Sequence, residues 1–479
     1  MLSLLRSYRA TSKGCNVTNT SQSEKKTSEK KVQHWAIVGG GMMGLTIARL
    51  LAQAGQRVTI LEARPNLGGL ADAWQLGDIV WDRHYHVTLL SDSRLRALID
   101  DLGLSDEVRW VETKTGFYSG GKFYSMSGAL EFLKFPPLTL IEKLRLGGTI
   151  FFGSKIKDWK SLESIPVATW LRKWSGNGTF EKIWLPLLRA KLGEAYQRTS
   201  AAFIWSYIAR MYKARRTGLK KEMFGYVQGG YSTLLGALHA SLEVDGVETR
   251  LSQQIKNIAS NHGSDDGSPT ITFEDGSQEH FDRVVVTTAA NVVSKLCPDL
   301  TAEEHQRFQD IEYLGIVCAS VLLDRPLAGY YVTNITDKVP FTAVIEMTTL
   351  VDPKELGGHT LVYLPKYTTP DDPIVSQSDE EVRYNFMVAL KAMYPDLTDE
   401  NVQAFRISRV RNVMAIPTLN YSSQLPPVTT SLESVFAINS AHILDGTLNV
   451  NETITLGETL FEQHLQALCN PAKEATTVK

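Results

Sequence analysis

An α/β fold organised around a parallel sheet is what this chain predicts, and three observations within residues 34–62 predict it. The apolar stretch HWAIV reads as a strand and runs straight into Gly39, Gly41 and Gly44, spaced as G-x-G-x-x-G. Leu45, Ala48, Leu51 and Ala52 then recur at helical spacing. VTILE follows as a second strand and ends on an acid, Glu62. The glycines alone would be a weak signal; strand, turn, helix, strand and acid together make a dinucleotide-binding βαβ unit.

Each residue of the motif answers a physical need. Gly39 permits the tight strand-to-helix turn, Gly41 lets a pyrophosphate approach the backbone, and Gly44 lets the helix pack closely on its strand. The pyrophosphate is expected on the helix N-terminus, where the N–H groups around Met42 and Met43 and the positive end of the macrodipole stabilise its oxygens. Gly55 is expected to end the helix in a left-handed conformation. Glu62 falls about 20 residues beyond the glycines, where a carboxylate accepts hydrogen bonds from both ribose hydroxyls of an adenosine. The same charge repels a 2′-phosphate, which disfavours NADP.

The 479 residues allow two or three domains, and 43% hydrophobic with 21% charged residues is an ordinary soluble composition. A net charge of −2 makes no case for a nucleic-acid partner. Cys15, Cys297, Cys318 and Cys469 lack C-x-x-C or metal-ligand spacing, so reduced thiols and no metal site are expected. The best candidate for a membrane span, around 138–156, is interrupted by Glu142, Lys143, Arg145 and Lys155. The chain is therefore expected to be soluble, or at most peripheral to a membrane. Residues 1–33 are rich in Ser, Thr and Lys, and Arg6, Arg9 and Lys13 precede the first acid, Glu24. They read as a disordered tail with a cytoplasmic protein behind it, or as an organellar transit peptide.

Further along, SRLRALIDDLGL is a helix closed by Gly103, and VRWVETKTGFYSGGKFYSM alternates around Gly120 and Gly121 as a hairpin does. From Ala129 to about Lys221 the pattern is helical, broken at Pro136, Pro137, Pro166 and Pro186. GGYSTLLGALHASL reads as a turn plus helix, GVETRLSQQIKNI as a strand pair, and FDRVVVTTAANVV as a strand entering a loop. LGIVCASVLL, FTAVIEM, HTLVYLP and AFRISRV are strand-like and suggest a mixed sheet, with a helix over 380–393 among them. A last strand, SVFAINS, precedes a last helix from about Thr453 to Leu468.

The second strand continues as EARPNLGGLADAW, with Arg64 and a second glycine pair, Gly68 and Gly69. This resembles the FAD enzymes of the amine oxidase, protoporphyrinogen oxidase and phytoene desaturase superfamily. DRHYHVTLLSD, VRWVETKTG, GKFYSM, PLLRAKLG, GGYSTLLGAL and LVYLPKY extend the resemblance to bacterial protoporphyrinogen oxidase-like oxidoreductases over most of 34–464. It implies an α/β protein in which a Rossmann-like FAD-binding domain (34–90, 225–300, 431–470) is interleaved with a substrate domain. That second domain takes 91–224 and 301–430, combines a mixed sheet with helices, and carries a helical insertion near 129–221. It implies non-covalent FAD, with the residues at Arg64, Gly68, Gly69 and Leu70 near its phosphates and ribityl chain, and backbone at Ile255 pairing with adenine. Leu70 departs from the arginine of the amine oxidases and matches a GGLA-type branch. Relatives end their last strand in Gly-Asp; here Asn439 and Ser440 stand in that place, with Leu448, Asn449 and Val450 expected beside the flavin.

Three residues are candidates for chemistry. Alternation along an extended segment places His84 and His86 on one face and Tyr85 on the other, and His86 is expected to touch the flavin site. Two histidines hydrogen-bonded inside a domain interface is the alternative. Lys366 resembles the lysine that amine oxidase relatives place near flavin N5, with Tyr363 and Tyr367 lining the same pocket; a solvent-exposed lysine is the alternative. Lys191 matches a family lysine of unknown role. Six cations and no acid in residues 210–221 fit a phosphate-bearing substrate, an anionic membrane surface, or a solvated helix end.

The function implied by the resemblance is oxidation of a small-molecule substrate, lipophilic or ring-shaped, by hydride transfer to flavin N5. Two alternatives stand beside it. The GGLA and RHYHVT stretches are also similar to UDP-galactopyranose mutase, and the missing Gly-Asp pair suits a non-catalytic binding protein such as the GDP dissociation inhibitors.

Overall fold

The computed structural model describes residues 32–215, 223–260 and 268–469. Five parallel strands form one sheet, in the order Glu248–Arg250, Arg57–Leu61, His34–Val38, Arg283–Val286 and Val435–Ala437. These strands are apolar on consecutive residues because both faces are covered. Trp35, Ile37, Val58 and Ile60 pack with the helices Met42–Gln53, Tyr231–Val244 and Val450–Leu460 on one face. Ala36, Val38 and Leu61 face Val293, Phe308 and Tyr313 on the other.

A second, seven-stranded sheet runs in the order Val402–Ala415, Tyr313–Leu323, Thr360–Thr368, Ala343–Glu346, Val332–Ile335, Thr115–Ser119 and Lys122–Ser125. It is mixed, since Val332–Ile335 pairs parallel with Thr115–Ser119 and its other neighbours pair antiparallel. Val317, Val362 and Leu364 face the helix Asp379–Met393 through Phe386 and Leu390. Cys318, Leu361 and Tyr363 face a helical layer that includes Leu140–Gly153, Val167–Ser175, Leu185–Leu192 and Ala201–Arg215. Pro166 precedes Val167–Ser175, where its missing N–H costs no helical bond, and Pro186 follows directly on the wider π-helical turn Phe180–Trp184.

Three local expectations change. Thr115–Ser119 and Lys122–Ser125 do form a hairpin around Gly120 and Gly121, both at positive φ. Val108–Glu112 leaves that hairpin and pairs with Met223–Val227, a partner over 100 residues away. GVETRLSQQIKNI is not a strand pair, because Glu248–Arg250 joins the parallel sheet and Ile255–Ser260 joins a separate three-stranded one. FDRVVVTTAANVV continues past its strand into the helix Ala290–Leu296. Cys297, Cys318 and Cys469 are free and buried, and Cys15 and the remainder of 1–31 lie outside the described residues.

Candidate functional site

The carboxyl ends of the parallel strands converge on the first glycine turn. Gly39 takes φ +110°, and a Cβ on Gly44 would stand 2.0 Å from the Gly39 carbonyl oxygen, so the helix and strand meet with no space for a side chain. Gly41 is the contrast: its nearest neighbour to an added Cβ is the Gly69 Cα at 3.9 Å. Gly41 caps Met42–Gln53 without a side-chain hydrogen bond, and no acid occupies the first turn at Met42 and Met43. The first helical N–H groups thus have no side-chain cap and carry the positive end of the dipole, which is the chemistry of a phosphate cradle.

Glu62 is buried beside this turn. Its carboxylate accepts from the Gly40 N–H at 2.6 Å and from the Arg64 N–H at 2.8 Å, which orients it at the strand end. The Arg64 side chain is exposed, and its carbonyl accepts from the Ser252 N–H. The second glycine pair packs directly on the first: Gly68 donates to the Gly40 carbonyl at 2.8 Å and bridges Gly41, with Gly68 and Gly69 both at positive φ. A Cβ on Gly69 would sit 3.1 Å from the Gly41 Cα, so both loops need glycine to touch.

Leu70 links this double loop to the histidines. His84 Nδ1–H donates to the Leu70 carbonyl at 3.2 Å, and Nε2 accepts from the Ser408 hydroxyl at 3.1 Å. Burial, with His86 nearby, pushes its pKa down to about 3, so the ring is neutral at physiological pH. His86 has other surroundings: Nδ1 lies 3.8 Å from the Asp82 carboxylate and the ring packs 4.7 Å from Tyr231. Residues 83–87 form no regular strand, so simple alternation does not assign their faces, and the two rings have separate partners.

Strand alternation does decide the lysines, and it corrects the expected pocket. Within Thr360–Thr368, Tyr363 and Tyr367 turn toward residues 82–85: the Tyr363 hydroxyl donates to the Asp82 carbonyl, and the Tyr367 and Tyr85 hydroxyls lie 2.9 Å apart. Lys366 occupies the opposite face, 3.8 Å from Asp372, in a cavity with Glu181, Arg189, Asp337 and Lys338. It does not share a pocket with Tyr363 and Tyr367. The cation on the aromatic side is Lys191, whose ammonium stands 3.2 Å from the centre of the Tyr367 ring. Desolvation by the surrounding protein pushes Lys191 down to about 7. Its distance in sequence from Tyr367 hid this pairing; the apolar helix around it was the available signal.

At the other strand ends, Asn439 is fully enclosed and its side-chain oxygen accepts from the Ala441 N–H, while its amide nitrogen has no partner. Thr288 Oγ1, just beyond Arg283–Val286, is likewise buried and unpartnered. Ser440 and Leu448 line a small cavity with Phe203, Ser206, Met414 and Thr447. Asn449 caps the helix Val450–Leu460 by accepting from the Glu452 N–H. Ile255 opens its strand at a bulge in the register with Pro269–Phe273. Of the basic stretch 210–221, Arg210 pairs inward with buried Asp92 at 3.2 Å; side chains beyond Tyr212 lie outside the described residues.

A family model for flavin-containing amine oxidoreductases matches residues 42–433. The chain belongs to that family. The residues present fit FAD: an uncapped helix start at Gly41, Glu62 at the second strand end, an orphaned hydroxyl on Thr288 beside the point where the strand order reverses, and an orphaned amide on Asn439 after the edge strand. The chain is 25% identical over 392 residues to the 15-cis-phytoene desaturase, chloroplastic/chromoplastic, of Capsicum annuum, covering 75% of this chain and 64% of that one. It therefore spans slightly under two thirds of that relative's length. It is 23% identical over 429 residues to the zeta-carotene desaturase of Synechocystis sp., covering 78% and 85%. A solved oxidoreductase from Methanosarcina mazei shares the fold, with a TM-score of 0.71 at 16% identity over 90% of this chain and all of that one.

Proposed function

We propose that the protein is a FAD-dependent oxidoreductase that oxidises a lipophilic or ring-shaped small molecule. The observation that carries the cofactor is the pair of interlocked glycine loops at an uncapped helix N-terminus, with Glu62 beside them. When bound, FAD supplies the redox chemistry, as acceptor of a hydride from the substrate.

The chain's own residues supply binding, orientation and electrostatics. The N–H groups at Gly41 to Met43 hold the diphosphate, and Glu62 holds the adenosine ribose. Neutral His84 pins the Leu70 carbonyl to the seven-stranded sheet through Ser408, which fixes the second loop; it is a positioning residue rather than a proton carrier. Tyr85, Tyr207, Tyr363 and Tyr367 line an aromatic region in the shared core, which excludes water and favours an apolar substrate. Lys191 is the titratable group on this side, poised to hold or release a proton near neutrality and to stabilise developing negative charge while protonated.

The test is a spectrum of the purified protein, followed by anaerobic mixing with carotenoid precursors, porphyrinogens, amines and UDP-sugars. Bleaching of the flavin bands by an apolar polyene or ring system supports the proposal. Failure of the apoprotein to take up FAD rejects the cofactor. Bleaching by amines alone rejects the substrate class, and tight FAD binding without any turnover favours the binding-protein alternative.

A further inference from the structure

Nine of the fourteen strongly exposed large apolar side chains among the described residues fall between residues 130 and 174. They centre on the helix Leu140–Gly153. This helix buries Lys143, Leu146, Thr149 and Gly153 toward its neighbours, as an amphipathic helix should. Its opposite side is also apolar. Leu140, Ile141, Leu144, Phe151 and Phe152 project into solvent, within an arc of about 120° at 3.6 residues per turn. Ile141 is 71% exposed and Phe152 56%. The intervening polar residues are tied down at the flanks, Glu142 to Lys182 and Arg145 to the Lys173 carbonyl.

The apolar face continues beyond one helix. Phe152 packs 6.0 Å from exposed Trp174, Lys155 sits 5.4 Å over Phe151, and Leu130 and Leu133 project from the preceding helix. The surrounding charge is one-sided. Residues 129–175 hold eight Lys and Arg against four Asp and Glu. Glu142 pairs with Lys182 and Arg172 with Glu181, which leaves the excess of cations in place.

We propose that this face docks on an anionic lipid surface, with Ile141, Leu144 and Phe152 at the headgroup–acyl boundary and Lys155, Lys157 and Lys173 among the headgroups. Apolar burial supplies the energy, and the basic flank selects the sign of the surface. A second copy of the chain is a poorer occupant, because a self-complementary contact sets two basic rims against each other. No described helix is long and apolar enough to cross a bilayer, so the contact proposed is with the surface.

Flotation of the full-length protein with phosphatidylcholine vesicles, with and without phosphatidylglycerol, tests this. The wild type is expected to float with the mixed vesicles and much less with phosphatidylcholine alone. Ile141→Ser, Leu144→Ser and Phe152→Ser combined should lower the bound fraction at least about tenfold, with unchanged circular dichroism and thermal midpoint. Should the triple variant misfold, Lys155→Glu with Lys157→Glu must still abolish the preference for phosphatidylglycerol. No flotation of the wild type, undiminished flotation of the folded triple variant, or a wild-type dimer that the variant converts to monomer each overturns the proposal. None of these readouts depends on flavin or substrate.

Discussion

His84 illustrates how one residue's environment decides its role. The unfolded chain binds a proton at His84 below pH 6.5, while the folded chain refuses it until about pH 3. Stability contributed by this site is therefore complete above 6.5 and falls as pH drops through that window, by up to about 1.4 kcal/mol per pH unit. Urea midpoints measured from pH 7 to pH 5 should fall more steeply for the wild type than for His84→Asn. At pH 7 the variant should itself be destabilised by about 1–3 kcal/mol, from the lost partners at Leu70 and Ser408. Lys191 sits closer to neutrality. Flavin reduction should slow as pH rises through about 7; Lys191→Met should flatten that profile, and Lys366→Met should leave it intact. Gly44→Ala drives a Cβ into the Gly39 carbonyl, so FAD should bind at least about tenfold more weakly, or 1.4 kcal/mol. Titration of apoprotein by flavin fluorescence measures it.

At the scale of elements, capping and glycine placement set what each helix tolerates. Thr139 with Glu142, Thr301 with Glu304 and Ser378 with Glu381 form reciprocal capping boxes that satisfy N-terminal donors. The Met42–Gln53 helix has none, which leaves its donors for a ligand. Gly457 is needed where Val450–Leu460 crosses that helix, since a Cβ there would meet Thr46 at 3.1 Å and Met43 at 3.3 Å. Gly236, in Tyr231–Val244, has open space around it. Gly236→Ala should stabilise the protein by about 0.5–1 kcal/mol, seen as a higher urea midpoint. The strand Thr360–Thr368 acts as a sorting device, sending Tyr367 to the aromatic core and Lys366 to the opposite cavity.

At the scale of the whole molecule, the parallel sheet joins strands from residues 34–61, 248–286 and 435–437. A cradle assembled from such distant segments couples cofactor binding to the stability of the entire sheet. FAD at 100 times its dissociation constant should add about 2.7 kcal/mol, read by calorimetry as an upward shift of a single transition. A second transition unmoved by FAD would show that the sheet and the rest of the molecule unfold independently. The seven-stranded sheet is fastened to the residues that follow the second glycine loop through Tyr363 with Asp82 and Ser408 with His84, contacts separated by more than 280 residues. These links carry the geometry of one core into the other.

The sequence by itself determined the βαβ unit, the glycine loops, Glu62 and the family resemblance. Their causes are local: positive φ, the 3.6-residue and two-residue periods, and a carboxylate at a fixed step from the glycines all act over a few turns of chain. Tertiary structure alone decided that Lys191 rather than Lys366 meets Tyr367, that His84 is neutral, that Val108–Glu112 abandons its hairpin, and that an apolar helix side faces outward. Each of these depends on which distant segment fills the space opposite. A side chain's partner, and with it its charge and exposure, is a property of packing rather than of neighbouring residues.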